Sequence, residues 1–197
     1  MRDDFLMAKL YFSFSTMNAG KSTILLQASH NYKERGMTTM LLTAALDERY
    51  GKGRIGSRIG LGAEAIVFDE ETNIANLVSN LHQQGKIDCV LVDEAQFLTD
   101  DQVWQLTIIV DEMEIPVMCY GLRTDFQGNL FPGSARLLAI ADNLREIRTI
   151  CHCGSKATMV IRQDADGRVI KDGAQVEIGG NEKYISLCRK HWRKAIG

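Results

Sequence analysis

The segment from Ser15 to Ser22 has the residue types and the spacing of a loop that binds phosphate. It reads Ser-Thr-Met-Asn-Ala-Gly-Lys-Ser and fits the pattern Gly-x4-Gly-Lys-Ser/Thr, except that Ser15 stands where a glycine is usual. In such loops backbone N–H groups point at the phosphates, while the lysine, here Lys21, neutralises the β- and γ-phosphates. The hydroxyl of Ser22 could ligate Mg2+. A coincidental Gly-Lys-Ser at a helix start is the alternative, and the predicted strand–turn–helix context favours phosphate binding.

Two acids, Asp93 and Glu94, end a nearly continuous apolar run over residues 87–92. Acids at the carboxyl end of a buried parallel strand face the ligand crevice of an α/β sheet. We interpret Asp93 as the carboxylate that holds the Mg2+ shell and Glu94 as a general base. The alternative is that both acids cap the next helix. A base here could activate water, as in an ATPase, or a substrate alcohol, as in a kinase, and these two motifs alone do not discriminate.

A third cluster of chemically competent residues comes late in the chain, as Cys151-His152-Cys153 and Cys188-x-x-His191. Zinc prefers four thiolate and imidazole ligands in a tetrahedron, and four protein ligands make a structural site. Cys-x-x-His is a normal spacing, whereas Cys-x-Cys is tighter than usual. His152 could replace one cysteine, although adjacent residues of an extended segment point in opposite directions. Free cysteines in a small apolar unit are the alternative.

Strands that alternate with helices must position these groups. The predicted strands cover residues 9–14, 37–44, 65–68, 87–92, 115–120 and 147–150, and the predicted helices cover residues 21–35, 73–84, 100–112 and 134–141. This alternation predicts an α/β fold with a parallel sheet covered by helices on both faces, of the RecA-like kind. Residues 45–64 hold five glycines among basic side chains, which predicts a mobile basic loop.

The pattern changes at Cys151. From there to Gly197 the segments are short and rich in turns, so a metal staple would explain how so small a unit is stable. We therefore predict two domains, a phosphate-binding α/β domain over residues 1–150 and a small zinc-binding lid over residues 151–197. Cys89 and Cys119 fall within predicted strands and are expected in the core.

Composition excludes several classes of protein. The chain has 197 residues, a formal net charge of −2 and a pI of about 6.1, so a basic nucleic-acid-binding surface is not expected. No apolar run approaches the ~20 residues of a membrane span, and the first residues do not resemble a secretory signal. Five cysteines, an odd number, argue against a disulfide framework. We expect a cytoplasmic protein with no membrane or nucleic-acid partner.

Six elements, in the right order along nearly the whole chain, resemble the type II thymidine kinases, with the bacterial branch the most similar. They are the phosphate loop at residues 16–23, Asp47-Glu48-Arg49-Tyr50, Asp93-Glu94-Ala95-Gln96-Phe97, residues 120–126 with Phe131-Pro132-Gly133-Ser134, Gly179-Gly180-Asn181-Glu182-Lys183-Tyr184, and the Cys/His cluster. The resemblance implies transfer of the ATP γ-phosphate to the 5′-hydroxyl of thymidine, in nucleotide salvage.

The resemblance also implies roles for individual residues. Glu94 would be the base, Ser22 and Asp93 would hold Mg2+, and Cys151, Cys153, Cys188 and His191 would hold zinc. The ATP phosphates would lie against Ser15, Thr16, Met17, Asn18, Ala19, Gly20, Lys21, Ser22, Thr23, Asp47 and Arg49. The nucleoside would lie against Met17, Phe97, Leu122, Phe126, Phe131, Ile178, Gly180 and Tyr184.

Aromatic walls with backbone donors and acceptors suit thymine, which is apolar on its faces and polar on its edge. Ordinary core packing is the alternative for Phe97, Phe126 and Phe131, although the glycine-rich setting of the last two favours a pocket. Many relatives carry Ser-His-Asp where this chain has Ser57-Arg58-Ile59. The resemblance further implies a homotetramer that is inhibited by dTTP in the same site.

Overall fold

The computed structural model describes residues 7–176 and 183–197. In chain order its strands are β1 (Leu10–Ser15), β2 (Thr39–Ala44), β3 (Arg54–Gly56), β4 (Gly62–Glu64), β5 (Ile66–Phe68), β6 (Cys89–Val92), β7 (Val117–Leu122), β8 (Asn143–Glu146), β9 (Thr149–Ile150), β10 (Lys156–Ala157), β11 (Met159–Gln163), β12 (Val169–Ile170) and β13 (Tyr184–Leu187). Its helices are α1 (Lys21–Glu34), α2 (Ile74–Gln84), α3 (Asp100–Asp111), α4 (Pro132–Ile140) and α5 (Arg189–Ile196), with a 3₁₀ turn at Ala95–Phe97.

Six parallel strands form the main sheet in the order β5-β2-β6-β7-β1-β8. One strand, β7, therefore separates β1, which leads into the phosphate loop, from β6, which ends at Asp93. The carboxyl ends of all three strands meet at one edge of the sheet, where a ligand crevice is expected. The predicted α/β fold with a parallel sheet is confirmed.

Alternate side chains of the strands pack into two cores, one on each face of the sheet. Leu42, Val90 and Val92 belong to the larger core, which α2 and α3 cover, whereas Leu41 and Leu91 belong to the core beneath α1. Continuous apolar strands of this kind are typical of parallel sheets that are buried on both faces. Cys89 and Cys119 are fully buried, as predicted.

The helices that cover the larger core, α2 and α3, begin at well-defined N-terminal caps. The side chain of Asn73 accepts a hydrogen bond from the N–H of Asn76 at the start of α2. Thr99 and Gln102 form a reciprocal capping box at the start of α3. Each cap satisfies N–H groups that have no partner within the helix. The cap of α3 at Thr99 therefore lies four residues after the 3₁₀ turn begins, which restrains the segment that follows Asp93.

Two predicted elements were wrong. The last strand of the sheet is β8 (Asn143–Glu146) and not residues 147–150; β9 pairs instead with β10. This edge strand has mostly polar side chains and a single exposed leucine, so it lacks the apolar run on which the prediction depended. Residues 45–64 also hold regular structure, because β3 and β4 form an antiparallel hairpin with Ile55 buried between the hairpin and α1.

The lid is built from small sheets and one helix. The antiparallel sheet β12-β11-β13 packs with α5 around Ala157, Ile161 and Leu187. The indole N–H of Trp192 lies between the carbonyls of Phe126 and Val160, 3.0 and 3.1 Å away, and so joins α5 to the loop after β7. Within residues 7–176 and 183–197, no helix is both long and apolar enough to cross a membrane.

Candidate active site

The phosphate loop has the backbone conformation that its sequence predicts. Asn18 and Gly20 adopt positive φ angles of 63° and 83°, and α1 begins directly after Gly20. Alternation of ordinary and left-handed residues turns successive N–H groups into one concavity, which suits an anion. Ser15 is not among the positive-φ residues of the described chain, so a side chain is tolerated where a glycine is usual.

Lys21 is held inside this loop. Its Nζ donates to the Thr16 carbonyl at 2.9 Å and to the Ser15 hydroxyl at 3.2 Å, and only 8% of the residue is exposed. Burial lowers the pKa of Lys21, against the opposing effect of the Glu94 and Asp93 carboxylates. A phosphate in the loop would supply the counter-charge that favours the ammonium form.

Asp93 and Glu94 stand side by side at the end of β6. Asp93 is 2% exposed and accepts a hydrogen bond from the N–H of Glu94 at 3.0 Å. Burial raises the pKa of Asp93 to about 7, with a further contribution from the Glu94 charge, while a hydrogen bond with Ser22 opposes the rise. Glu94 has a positive φ of 52° and makes no side-chain cap to the 3₁₀ turn, so capping is not its role.

Two side chains hold the Glu94 carboxylate from opposite sides. One oxygen accepts from Arg49 and the other from Gln96. Arg49 is bound in turn by Asp47, whose carboxylate is 2.6 Å from its Nε. The side-chain amide oxygen of Gln96 accepts a hydrogen bond from the N–H of Leu122 at 2.9 Å, which ties the 3₁₀ turn to the end of β7. The carboxylate is therefore oriented by groups from three different segments.

A cavity of about 310 Å³ is lined by the phosphate loop, by Glu94 and by several aromatic side chains. Phe97 and Phe131 meet edge to face with ring centroids 6.0 Å apart, and the guanidinium of Arg162 lies 4.2 Å over the ring of Phe126. Phe126 and Phe131 are 2% and 4% exposed, so they are core residues that also form the cavity wall. The two interpretations of these aromatics are thus compatible.

Most of the residues that the sequence singled out line this cavity. They are Met17, Asn18, Ala19, Gly20, Lys21, Ser22, Thr23, Asp47, Arg49, Glu94, Phe97, Leu122, Phe126, Phe131 and Tyr184. Ser15, Thr16 and Asp93 lie buried beneath it. Ile178 and Gly180 fall outside the described residues. Ser57, Arg58 and Ile59, at the tip of the β3–β4 hairpin, also line the cavity.

Sequence reasoning missed other cavity residues, including Leu46, Tyr50, Gln96, Thr124, Asp125 and Gln175. Four of these had a signal, because Tyr50, Gln96, Thr124 and Asp125 belong to segments that already carried predicted residues. Asp125 is buried and its carboxylate accepts from the N–H groups of Gln127 and Asn129 and from the amide of Gln175. It therefore shapes the loop between β7 and α4 and anchors Gln175 to that loop.

The four predicted metal ligands converge in the lid. The ligand atoms of Cys151, Cys153, Cys188 and His191 all lie within 4.8 Å of one another. His191 Nδ1 is 3.4 Å from Cys151 Sγ and 3.3 Å from Cys188 Sγ. Three thiolates and one imidazole fit a tetrahedral zinc ion, so the cluster can hold such a metal. His152 lies outside the group of four, with its ring 4.3 Å from that of His191.

Zinc analysis distinguishes the two neighbouring histidines. We expect the purified protein to carry about one zinc per chain. His191→Ala should lose most of it, because it removes one of four ligands, whereas His152→Ala should retain it. Metal content by atomic emission, with unfolding temperature in parallel, checks both. Retention of zinc by His191→Ala, or its loss from His152→Ala, would contradict the ligand set.

The buried Asp93 carboxylate should make the protein without metal and nucleotide less stable at high pH. Because the folded-state pKa is raised from 3.8 to about 7, the stability that the proton provides is full below pH ~4 and is lost as pH rises through 7. Asp93→Asn should therefore raise the free energy of unfolding at pH 8 by about 2–4 kcal/mol. Urea unfolding of both proteins in the presence of a chelator measures this difference in the free energy of unfolding. The difference should shrink as pH falls towards 4, and a difference that is independent of pH would refute the explanation.

A phosphate loop that opens α1, buried acids at the end of β6 and one cavity joining both to an aromatic wall define a P-loop nucleotide-binding protein with a site suited to phosphate transfer. The family model described as "Thymidine kinase" matches residues 8–192. The chain therefore belongs to the thymidine kinase family.

Curated relatives match over nearly the whole chain. A protein of Ruegeria pomeroyi named thymidine kinase is 66% identical over 97% of this chain and 96% of its own. Thymidine kinases of Agrobacterium fabrum and Jannaschia sp. are 65% and 63% identical, over 94% and 97% of this chain and 96% and 98% of their own. A solved structure of the replication initiator DnaA, bound to AMPPCP and single-stranded DNA, has a TM-score of 0.43 at 17% identity, covering 73% of this chain and 41% of that one. So low a score carries no argument.

Proposed function

We propose that this chain transfers the γ-phosphate of ATP to the 5′-hydroxyl of thymidine, with Glu94 as the general base. One observation carries the proposal: Glu94 lines the same cavity as the phosphate loop and the aromatic wall. A nucleoside against the aromatic wall would turn its sugar towards Glu94, and a triphosphate in the loop would end beside it. Family membership supplies the identity of both substrates.

Glu94 is suited to remove the hydroxyl proton. It is 8% exposed, and Arg49 and Gln96 hold its two oxygens, so the carboxylate is oriented before a hydroxyl arrives. Arg49 also lines the cavity, and a triphosphate would compete with Glu94 for its guanidinium. Substrate binding would then release one carboxylate oxygen to accept the proton, while Arg49 and Lys21 neutralise charge on the transferred phosphoryl group.

Mg2+ is expected to accompany ATP, and the residues present fit it. Ser22 provides a hydroxyl at the start of α1, and Asp93 provides a buried carboxylate in contact with that hydroxyl. Oxygen ligands of these two kinds, with water and phosphate, are those that Mg2+ prefers. When bound, the ion would supply charge to the β- and γ-phosphates. Asp93 must lose its proton for this role.

Alternative functions make different predictions for one assay. A P-loop ATPase would release ADP without a nucleoside, and a binding module without catalysis would bind ATP and release none. The thymidine kinase releases ADP only when thymidine is present. Initial rates of ADP release with and without thymidine separate the three, and nucleoside-independent release would overturn the proposal.

Deoxyuridine should also be phosphorylated. The apolar cavity wall can discriminate by only about 1–3 kcal/mol against the loss of one methyl group. We therefore expect kcat/KM for deoxyuridine to be about 10- to 200-fold below that for thymidine. Initial rates over a range of nucleoside concentrations give both values of kcat/KM, and absence of any turnover with deoxyuridine at saturation would contradict the prediction.

We further propose that the chain divides into two domains between residues 150 and 151, and that zinc has a structural role in the second. The enzyme would be a cytoplasmic homotetramer that dTTP inhibits by binding in the substrate site. We also propose that the basic hairpin and residues 170–184 close over bound substrates. The lining of the cavity by Ser57, Arg58 and Ile59 supports the closure of the hairpin. Equal protease cleavage of residues 45–62 and 170–184 with and without thymidine and nucleotide would refute closure.

A further inference from the structure

One face of strand β13 contacts the cavity, the phosphate loop and the metal cluster in turn. Alternate residues of a strand point to the same face, and here they are Tyr184, Ser186 and Cys188, which follows β13 in extended conformation. Tyr184 lines the cavity and Cys188 belongs to the metal cluster. Ser186, between them, contacts the phosphate loop. The opposite face carries Leu187, which packs in the lid core.

The Ser186 hydroxyl reaches two consecutive residues of the loop. It lies 2.8 Å from the carbonyl oxygen of Met17 and 3.0 Å from the hydroxyl of Thr16, a residue that is 7% exposed. A hydroxyl has one proton to donate and lone pairs with which to accept. Donation to the nearer carbonyl leaves Ser186 able to accept from Thr16. A residue of the lid thus provides a hydrogen-bond donor for a backbone carbonyl of the phosphate loop, 169 positions away in the sequence.

This contact fixes the direction of the next N–H in the loop. The peptide bond between Met17 and Asn18 is trans, so its carbonyl and its N–H point in opposite directions. Holding the Met17 carbonyl towards β13 therefore turns the N–H of Asn18 away from the lid. Asn18 lies in the left-handed region and lines the cavity, where its N–H belongs to the set that a phosphate would meet.

The contact matters more once a phosphate is bound. Lys21 now donates to the Thr16 carbonyl and to Ser15, and it would have to turn from them to reach a phosphate. The Thr16 carbonyl would then keep, within the loop, the hydrogen bond from the Ser15 hydroxyl at 2.8 Å. From outside the loop, Ser186 holds Thr16 and Met17 by contacts that do not involve Lys21.

We propose that Ser186 is a positioning residue for ATP: through Met17 and Thr16 it sets the phosphate loop in its binding conformation and so makes ATP affinity depend on the seating of the lid. This inference rests on the proposed function in that ATP is the ligand of the loop. Ser186 does not line the cavity and takes no part in proton transfer. Because Ser186 contacts the main-chain carbonyl of Met17, its larger effect falls on nucleotide binding, although Met17 would also contact the nucleoside.

The test compares Ser186→Ala, Ser186→Thr and a control, Ser79→Ala, which removes a hydroxyl from α2. We expect Ser186→Ala to raise the KM for ATP and the dissociation constant of a non-hydrolysable ATP analogue, each about three- to tenfold, the effect of one to two hydrogen bonds. The KM for thymidine and the unfolding temperature should change little. Ser186→Thr keeps the hydroxyl and should restore ATP binding, and Ser79→Ala should match the wild type.

Two outcomes would overturn the inference. Unchanged ATP-analogue binding in Ser186→Ala means that the contact does not position the loop. Equal increases in both KM values, with a lower unfolding temperature and no rescue by threonine, mean that Ser186 only packs. Failure of the proposed function is distinguishable, because it appears in the wild type as absence of thymidine phosphorylation, while the analogue titration still compares the variants.

Discussion

Glu94→Gln is expected to lower kcat for thymidine phosphorylation by about 10²- to 10⁴-fold, the usual contribution of general base catalysis. The amide has nearly the size of the carboxylate and its oxygen can still accept from Arg49, although its NH2 group cannot accept from Gln96. It also cannot accept the hydroxyl proton. Binding of thymidine and of an ATP analogue should therefore stay within a few-fold of the wild type. Single-turnover phosphate transfer and calorimetric titration measure the two effects separately.

The matched control is Glu71→Gln, because Glu71 is an exposed acid that does not line the cavity. It should leave kcat unchanged. Retention of more than about a tenth of the wild-type kcat by Glu94→Gln would be inconsistent with the base assignment. Loss of binding together with turnover would indicate that Glu94 organises the cavity and is not primarily a base.

Gly133→Ala is expected to destabilise the protein by about 3 kcal/mol and to abolish most activity. A β-carbon at Gly133 would lie 2.6 Å from the carbonyl oxygens of both Ala95 and Leu98. These are backbone atoms of the segment that carries Glu94, Gln96 and Phe97, so α4 or that segment must move. Because the segment also orients the base, the displacement should lower kcat as well as stability.

Gly85→Ala is the control for this substitution. Gly85 has an extended φ of −171° and no atom within 4 Å of an added β-carbon, so an alanine meets no obstacle there. Urea unfolding and kcat should match the wild type for Gly85→Ala and fall for Gly133→Ala. Equal stability of the two variants would show that α4 can shift away from the 3₁₀ turn at no cost.

The sequence predicted the parts of the site whose chemistry is set by local spacing. The phosphate loop, the acids after β6 and the Cys-x-x-His half of the metal cluster are each contained in a few consecutive residues, and a strand–turn–helix pattern fixes where such residues face. The aromatic wall required the family resemblance, because Phe97, Phe126 and Phe131 have the composition of ordinary core.

The features that the sequence did not predict depend on contacts between distant segments. The close approach of Gly133 to Ala95 and the link from Ser186 to Met17 exist only after α4 and β13 have been placed. The edge strand β8 was missed because three of its four side chains are polar and its leucine, Leu144, is exposed. The hairpin of β3 and β4 was missed because its glycines favour turns in any local estimate, whereas burial of Ile55 stabilises the pairing.

Transfer of the γ-phosphate to thymidine is tested by identifying the products formed from ATP and thymidine with Mg2+ present. We expect thymidine 5′-monophosphate and ADP in equal amounts, with neither formed when thymidine is omitted. Release of ADP and inorganic phosphate with thymidine recovered unchanged would contradict it, because the γ-phosphate would then have passed to water and not to the 5′-hydroxyl.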